Sequence, residues 1–334
     1  MMIFLIACSF WLVTRVTCST VGRAEFLNAF REKTFDVIVN KPDIITEKYT
    51  LNMGDSLGDG FASKVYQASR LADDDDDEWQ ELVAVKQVDE KKLRACKMTV
   101  ETEVRLLSSV THPNIPKLLD VFASSLPDPE TVYLVFPLYR RGSLARHCQL
   151  IYGDQDDDKE KTGGGNEKLD QVIIKRVMRG VLQAIIYLHA NGLVHRDIKP
   201  ANIMISDEEE GILIDYGYAI VPLKDDPAAM TRRCGTLLFT APEVFCCHAY
   251  NHLVDIWSFG VTLWSMHANP YPECGTDPHA IMRKFMEHFG PWGDRRELEN
   301  DPCLLSIINA TVCFLPKRRS EAAKILDRDY FCNS

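Results

Sequence analysis

The chain has 334 residues, 46% of them hydrophobic, and a formal net charge of −10. That is ample for one large core and too acidic for a nucleic-acid binder, which needs a basic face. Its 11 cysteines include no CxxC pair at zinc-ligand spacing, so a zinc site is not expected, and the length suits one large folded unit with a short leader.

At the N-terminus an apolar run extends from Ile3 to Val13, followed by small polar residues. It is too short for a membrane-spanning helix, which needs about 20 residues. It reads as a signal peptide over 1–19, cleaved near Cys18 or Ser19, although no Lys or Arg precedes it. The expected location is therefore the secretory pathway, with the cytoplasm as alternative, and residues 20–46 form an N-terminal extension. Either cleavage site leaves nine cysteines, an odd number that cannot all pair.

Next, Leu57-Gly58-Asp59-Gly60-Phe61-Ala62-Ser63-Lys64-Val65 reads as a strand, a glycine turn and a strand. Glycines let a backbone approach phosphates without a Cβ in the way, but any tight hairpin also uses them. Val83-Ala84-Val85-Lys86 reads as a strand carrying one lysine. Val100, Val104, Leu107 and Val110 share a helical face, which leaves Glu103, or Glu101 in a neighbouring register, as a spare carboxylate. Val132 to Phe136 is an apolar strand. A second helix with a buried face is expected from the spacing of Val172, Ile173, Val177, Val181, Leu182, Ile185 and Leu188. Acidic tracts at Asp73 to Glu78, Asp154 to Asp158 and Asp207 to Glu210 read as solvated turns. Gly163 to Gly165 marks a flexible insert.

The segment with the most chemistry is His195-Arg196-Asp197-Ile198-Lys199-Pro200-Ala201-Asn202, followed by Asp215-Tyr216-Gly217. Two Asp, one Lys and one Asn on two short segments suit phosphoryl transfer, which asks a protein for positioning and for cations around the transferring group. Asn202 and Asp215 are hard oxygen donors of the kind magnesium prefers.

These segments, in this order, resemble the motifs of eukaryotic protein kinases. The catalytic and metal loops are similar to HRDLKxxN and DFG, and the glycine turn to LGxGxFGxV with Ser63 in place of the third glycine. Val83 to Lys86 resembles the VAIK strand, and His112-Pro113-Asn114 the turn after the helix whose glutamate pairs with that lysine. Gly235-Thr236 with Ala241-Pro242-Glu243, then Asp255 to Gly260, then Pro316 to Ser320 complete the series, with Leu315 where an Asp is usual. The resemblance covers about Tyr49 to about Phe331. It implies an α+β, two-lobed protein kinase fold over 47–334, with a small β-rich N-lobe at 47–137 and the hinge and larger helical C-lobe at 138–334.

It also implies ATP and Mg²⁺ in the cleft. Asp197, Lys199 and Lys86 take the catalytic roles, with Glu103 securing Lys86, and Asn202 and Asp215 are the metal ligands. Leu57 to Val65 cover the phosphates, Val65, Ala84 and Met204 sandwich the purine, and the backbone of Pro137 and Tyr139 meets the adenine edge behind Phe136. Glu243 and Arg319 are expected as a structural ion pair, and His195 and Tyr216 as packing residues. Lys199, two residues after Asp197, resembles the serine/threonine type, acting on protein Ser/Thr hydroxyls. The stretches Tyr187-Leu188-His189 and Cys234-Gly235-Thr236-Leu237 look like the calcium/calmodulin-dependent group. Acids that favour arginine-rich sites are absent at the aligned Ser143, Ala201 and Ser265. Arg196 and Thr231 form the expected regulatory pair, and Thr236 is the structural threonine. A pseudokinase or scaffold that binds nucleotide without efficient transfer is the alternative reading. A small-molecule kinase fits the peptide-platform segment Gly235 to Glu243 less well.

Overall fold

The computed structural model describes residues 45–71, 81–95, 100–123, 130–147, 170–222, 230–267, 280, 283, 287 and 300–332. The expected leader, almost all of the extension, the tracts at Asp73 to Glu78 and Asp154 to Asp158, and the glycine insert lie outside the described residues. Asp207 to Glu210 forms the turn between two short strands, as its composition suggests, with Glu209 in the left-handed region at φ 64°.

Leu82 to Asp89 and Thr131 to Pro137, rich in β-branched and aromatic residues, pair side by side inside an antiparallel five-stranded sheet. Its strands are β1 (Tyr49–Asp59), β2 (Ser63–Arg70), β3 (Leu82–Asp89), β4 (Asp120–Ala123) and β5 (Thr131–Pro137), in the order β1-β2-β3-β5-β4. Side chains alternate across a strand, so Val83 and Val85 are buried on one face of β3 while Ala84 and Lys86 point from the other. The register sets Lys86 between Val65 of β2 and Leu134 of β5. Helix α1 (Glu101–Leu107) opens with two acids, which suit the positive end of its dipole. It buries Val104 against Val88, Val121, Val132 and Leu134.

The second part of the chain is helical. Helix α2 (Gln171–Ala190) begins where the Asp170 carboxylate accepts the Val172 N–H at 3.1 Å and ends before Gly192, at φ 75°. Val177, Val181, Leu182, Ile185 and Leu188 are buried as their spacing requires, but Val172 is 52% exposed. It lies in the first turn, where the helix has not yet reached the core, so the expected buried face starts later. A two-stranded ribbon, β6 (Ile203–Ile205) and β7 (Gly211–Leu213), lies against α2. Helix α3 (Leu253–Ser265) is buried along its whole length, and its Ser258 and Ser265 hydroxyls donate to main-chain carbonyls. Helix α4 (Pro302–Thr311) packs on α3; on it Asn309 of the lone glycosylation sequon is exposed, while Thr311 is buried and donates to the Ile307 carbonyl. Leu118 and Phe136 touch both the α1 cluster and the large helical core, joining the two parts behind the β5 exit. No helix among the described residues is long and apolar enough to cross a membrane.

Candidate active site

Asp197 lies on the loop between α2 and β6 and is almost fully buried. Its Oδ1 accepts the Thr236 N–H at 2.7 Å, and its Oδ2 accepts Asn202 Nδ2 at 2.9 Å with Lys199 Nζ at 3.0 Å. A carboxylate offers about four lone-pair positions. Three are occupied in these contacts, which leaves the group aimed but not saturated. Lys199 Nζ also donates to Thr236 Oγ1 at 2.6 Å, so Thr236 touches both residues, as a structural threonine should. Asn202 gives its Nδ2 twice, to the Asp197 carboxylate and to the Asp197 carbonyl at 2.9 Å, and that leaves Oδ1 as the atom it can offer a cation.

The loop is held from below. Asp255, at the start of α3, accepts the backbone N–H of His195 at 2.9 Å and of Arg196 at 2.8 Å, and also meets His189 Nε2 at 2.9 Å. Burial pushes the Asp255 carboxyl up, but these donors outweigh it and hold it below its ordinary value. The sequence marks Asp255 only as the start of a buried helix; a bond across 60 residues to a main-chain amide has no sequence signature. His195 Nδ1 accepts the Asp197 N–H at 3.2 Å, which makes Nε2 the donor to the Ile214 carbonyl at 3.1 Å. Tyr216 is fully buried, its ring 4.9 Å from the His195 ring and its hydroxyl donating to the Leu213 carbonyl. Both residues therefore pack and shape the loop, as expected.

Lys86 reaches two carboxylates at once: Glu103 at 2.8 Å and 2.9 Å and Asp215 at 2.8 Å. Glu101, the other register, is half exposed and pairs with Arg105 instead. Burial pulls the Lys86 pKa down, yet Asp215 and Glu103 together hold it above the ordinary lysine value. Lys86 in turn holds Asp215 down, to about 2, against the upward push of burial. Asp215 sits at φ 63°, in the left-handed region, and that backbone turn directs its carboxylate to Lys86.

The remaining expected residues lie on the glycine turn between β1 and β2, on β2, β3 and β6, and at and just after the end of β5. In the glycine turn Gly60 N–H donates to the Ser63 carbonyl at 2.8 Å, and Phe61 at its tip is 76% exposed. Leu57, Gly58, Asp59, Gly60 and Lys64 are exposed and Ala62 is buried. A Cβ at Gly58 would meet nothing within 4 Å, so its glycine is not required by packing within the chain; at Gly60 a Cβ would come 2.8 Å from Ser63 Oγ. Val65, Ala84, Pro137, Tyr139 and Met204 are each partly exposed, and Ala84 and Met204 sit between buried strand neighbours. Burial pushes the Tyr139 phenol up to about 12. The turn after β5 is tied to β6 through the Ile205 N–H and the Gly142 carbonyl, 3.0 Å, and a bridge between Ser143 and Met204.

Glu243 and Arg319 form the expected ion pair, at 2.6 Å and 2.8 Å, both buried. Arg196, expected to await a phosphate on Thr231, already donates from Nε to the Tyr218 carbonyl at 2.7 Å and from Nη1 to the Tyr250 hydroxyl at 3.0 Å. Tyr250 is a site residue that the sequence does not single out.

Comparison with known proteins identifies the family. The family model for the protein kinase domain matches residues 51–331. Calcium/calmodulin-dependent protein kinase type 1 of Macrobrachium nipponense is 34% identical over 224 residues, 66% of this chain and 56% of that protein. CBL-interacting protein kinase 12 of Oryza sativa subsp. japonica is 30% identical over 288 residues, 85% of this chain and 47% of that one. A Dictyostelium discoideum protein named probable serine/threonine-protein kinase samkB is 27% identical over 255 residues, 75% of this chain and 38% of its own length. The chain thus spans about half the length of the curated relatives it matches. With a matched domain that runs through both lobes and carries the Lys86, Glu103 and Asp215 cluster, the chain belongs to the protein kinase domain family.

Proposed function

We propose that the chain is an ATP- and Mg²⁺-dependent serine/threonine protein kinase that moves the γ-phosphate of ATP to a Ser or Thr hydroxyl of a protein substrate. The observation that carries this reading is the Asp197 carboxylate, buried, held by Thr236 N–H, Asn202 and Lys199, and left with room for one more hydrogen bond. That remaining position accepts the proton of the incoming hydroxyl and aims its oxygen. Lys199, fixed between Asp197 and Thr236, presents its positive charge on the same side as the hydroxyl. The relatives' names support the serine/threonine type.

The residues present fit a magnesium nucleotide. Among the described residues no three His, Cys, Asp or Glu side chains gather into a metal nest. Asn202 Oδ1 and the ionised Asp215 instead supply two hard oxygens, enough for an ion that takes its other positions from phosphates and water. When bound, the metal neutralises charge building on the phosphates. Lys86, kept cationic by Asp215 and Glu103, cradles the α- and β-phosphates, and the turn from Leu57 to Val65 covers them. Ala84, Val65 and Met204 enclose the purine, with Pro137 and Tyr139 offering main-chain groups to its edge.

A radiolabelled transfer assay on purified wild type, Asp197→Ala and Lys86→Ala tests the assignment. Asp197→Ala should lose about 10²–10⁴-fold in kcat and keep nucleotide affinity. Undiminished transfer in that variant sinks the base assignment, and nucleotide binding without transfer in wild type would favour a scaffold. The apolar run at Ile3 to Val13 supports a secretory route. A mature protein beginning near Ser19 would agree, and an intact Met1 would favour the cytoplasm.

A further inference from the structure

Tyr250 lies outside the residues used in transfer, yet the catalytic loop and the stretch from Met230 to Cys234 meet on it. Its N–H donates to the Met230 carbonyl at 3.0 Å, its hydroxyl donates to the Arg232 carbonyl at 2.9 Å and accepts Arg196 Nη1 at 3.0 Å. Cys234 Sγ is 3.7 Å from the same oxygen. Burial pushes the phenol up to about 12, so it keeps its proton at neutral pH and can donate and accept at once.

Arg196 is the next link. Its backbone has φ 69°, its N–H is held by Asp255 and its carbonyl lies against Gly235, where a Cβ would come within 2.4 Å. Only glycine, itself at φ 82°, allows that approach. The following residue, Thr236, gives its N–H to Asp197. A short path therefore runs from the Tyr250 hydroxyl through residues 232–235 to the donor that aims the carboxylate.

We propose that Tyr250 is a positioning residue for phosphoryl transfer. Its hydroxyl joins Arg196 to the Arg232 carbonyl and so fixes the stretch whose next members, Gly235 and Thr236, hold Asp197. The bridge is made by an uncharged hydroxyl, so it needs no phosphate on Thr231. This rests on Asp197 being the group that receives the acceptor hydroxyl.

The test compares phosphatase-treated full-length wild type, Tyr250→Phe, Thr231→Ala, Arg196→Gln and the Tyr250→Phe/Arg196→Gln pair. The readouts are kcat, KM for ATP and for a peptide, and hydrogen exchange of the 232–236 amides. Phe keeps the ring and removes only the bridge, so kcat should fall about tenfold or more, because small misplacement at a reacting centre is costly. The ATP KM should stay within about twofold, since a change confined to kcat marks an interaction made in the transition state. Exchange at 232–236 should quicken while exchange in α3 does not. Thr231→Ala and dephosphorylated wild type should keep their rate, and the pair should lose no more than the worse single, as expected of two ends of one bridge. An unchanged kcat in Tyr250→Phe, losses that simply add, or inactivity of Thr231→Ala would overturn the proposal. If wild type transfers no phosphate, the transfer reading fails by itself. The exchange arm then still decides Tyr250, because unchanged protection at 232–236 in Tyr250→Phe removes the bridge.

Discussion

Lys86 neutralises two carboxylates that otherwise would face each other, so its removal should affect stability as well as catalysis. Lys86→Ala leaves Glu103, whose side chain is 5% exposed, without its counter-charge. Breaking a buried pair from one side typically costs about 3–5 kcal/mol. The melting temperature of Lys86→Ala should therefore fall along with activity, and Lys86→Met/Glu103→Leu should melt higher than Lys86→Ala. His112 gives a pH effect of known sign. Burial lowers its pKa to about 4, and as a neutral ring its Nδ1 accepts the Asn114 N–H at 3.1 Å. The unfolded chain takes up that proton near pH 6.5 and the folded chain only near 4, so the stability this residue contributes is complete above about 6.5 and drains between those values. With solvent screening of a half-buried ring allowed for, the loss is about 2 kcal/mol, and urea unfolding at pH 7 and pH 4.5 should show it shrink in His112→Asn. The Lys86 and Glu103 pair was legible because Val83 to Lys86 and the helix before His112-Pro113-Asn114 resemble the paired kinase motifs. The roles of Asp255 and Tyr250 were not, because their partners are main-chain atoms and distant side chains that no local pattern marks.

At the scale of elements, the catalytic loop is placed by how closely α2 approaches β7. A Cβ at Gly211 would come 2.1 Å from the Val177 carbonyl oxygen, and one at Gly180 would come 2.5 Å from Asn114 Nδ2 and 2.9 Å from the Gly211 carbonyl. Asn114 fixes the same contact, with Nδ2 donating to the Gly211 carbonyl at 2.9 Å and its own carbonyl accepting the Leu213 N–H at 2.9 Å. The backbones touch there, so no side chain can move aside to admit a methyl group. Gly211→Ala should lose about 3 kcal/mol or more in denaturant unfolding, at the upper end of overpacking costs. Gly58→Ala, with open space around it, should leave that midpoint unchanged and reveal itself only in nucleotide affinity. Periodicity located α2 and its buried stripe correctly from Val177 onward. It misplaced Val172, because a 3.6-residue pattern reports which residues share a face and not where along the helix the neighbouring core begins.

For the whole molecule, the two-lobed architecture was implied by the ordered resemblance to kinase motifs from about Tyr49 to about Phe331, but the couplings that make one body of distant segments were readable only in part. Glu243 ends the segment that carries Thr236, and Arg319 belongs to a turn 76 residues further on. Arg319 is fully enclosed, its Nε donating to the Cys313 carbonyl at 2.8 Å, its Nη1 to the Leu253 carbonyl at 3.1 Å and its plane lying 5.1 Å from the Trp257 ring centre. One guanidinium thus joins the Glu243 end of the segment that carries Thr236, the start of α3 and the C-terminal turn. Replacing it by Leu strands the Glu243 carboxylate in the core and removes a donor from two carbonyls, so Arg319→Leu should lose about 3–5 kcal/mol and unfold as a unit with α3. Glu243→Leu/Arg319→Met removes both charges, and its stability should lie above that of Arg319→Leu because no unpaired ion remains. If the double variant proved less stable than the single by calorimetry, the attraction within the pair would exceed its desolvation cost, and this contact would be a net source of stability. Activity separates the structural role further: the double variant, though better folded than Arg319→Leu, should still transfer phosphate more slowly than wild type, because apolar side chains do not fix the segment that carries Thr236 in one geometry.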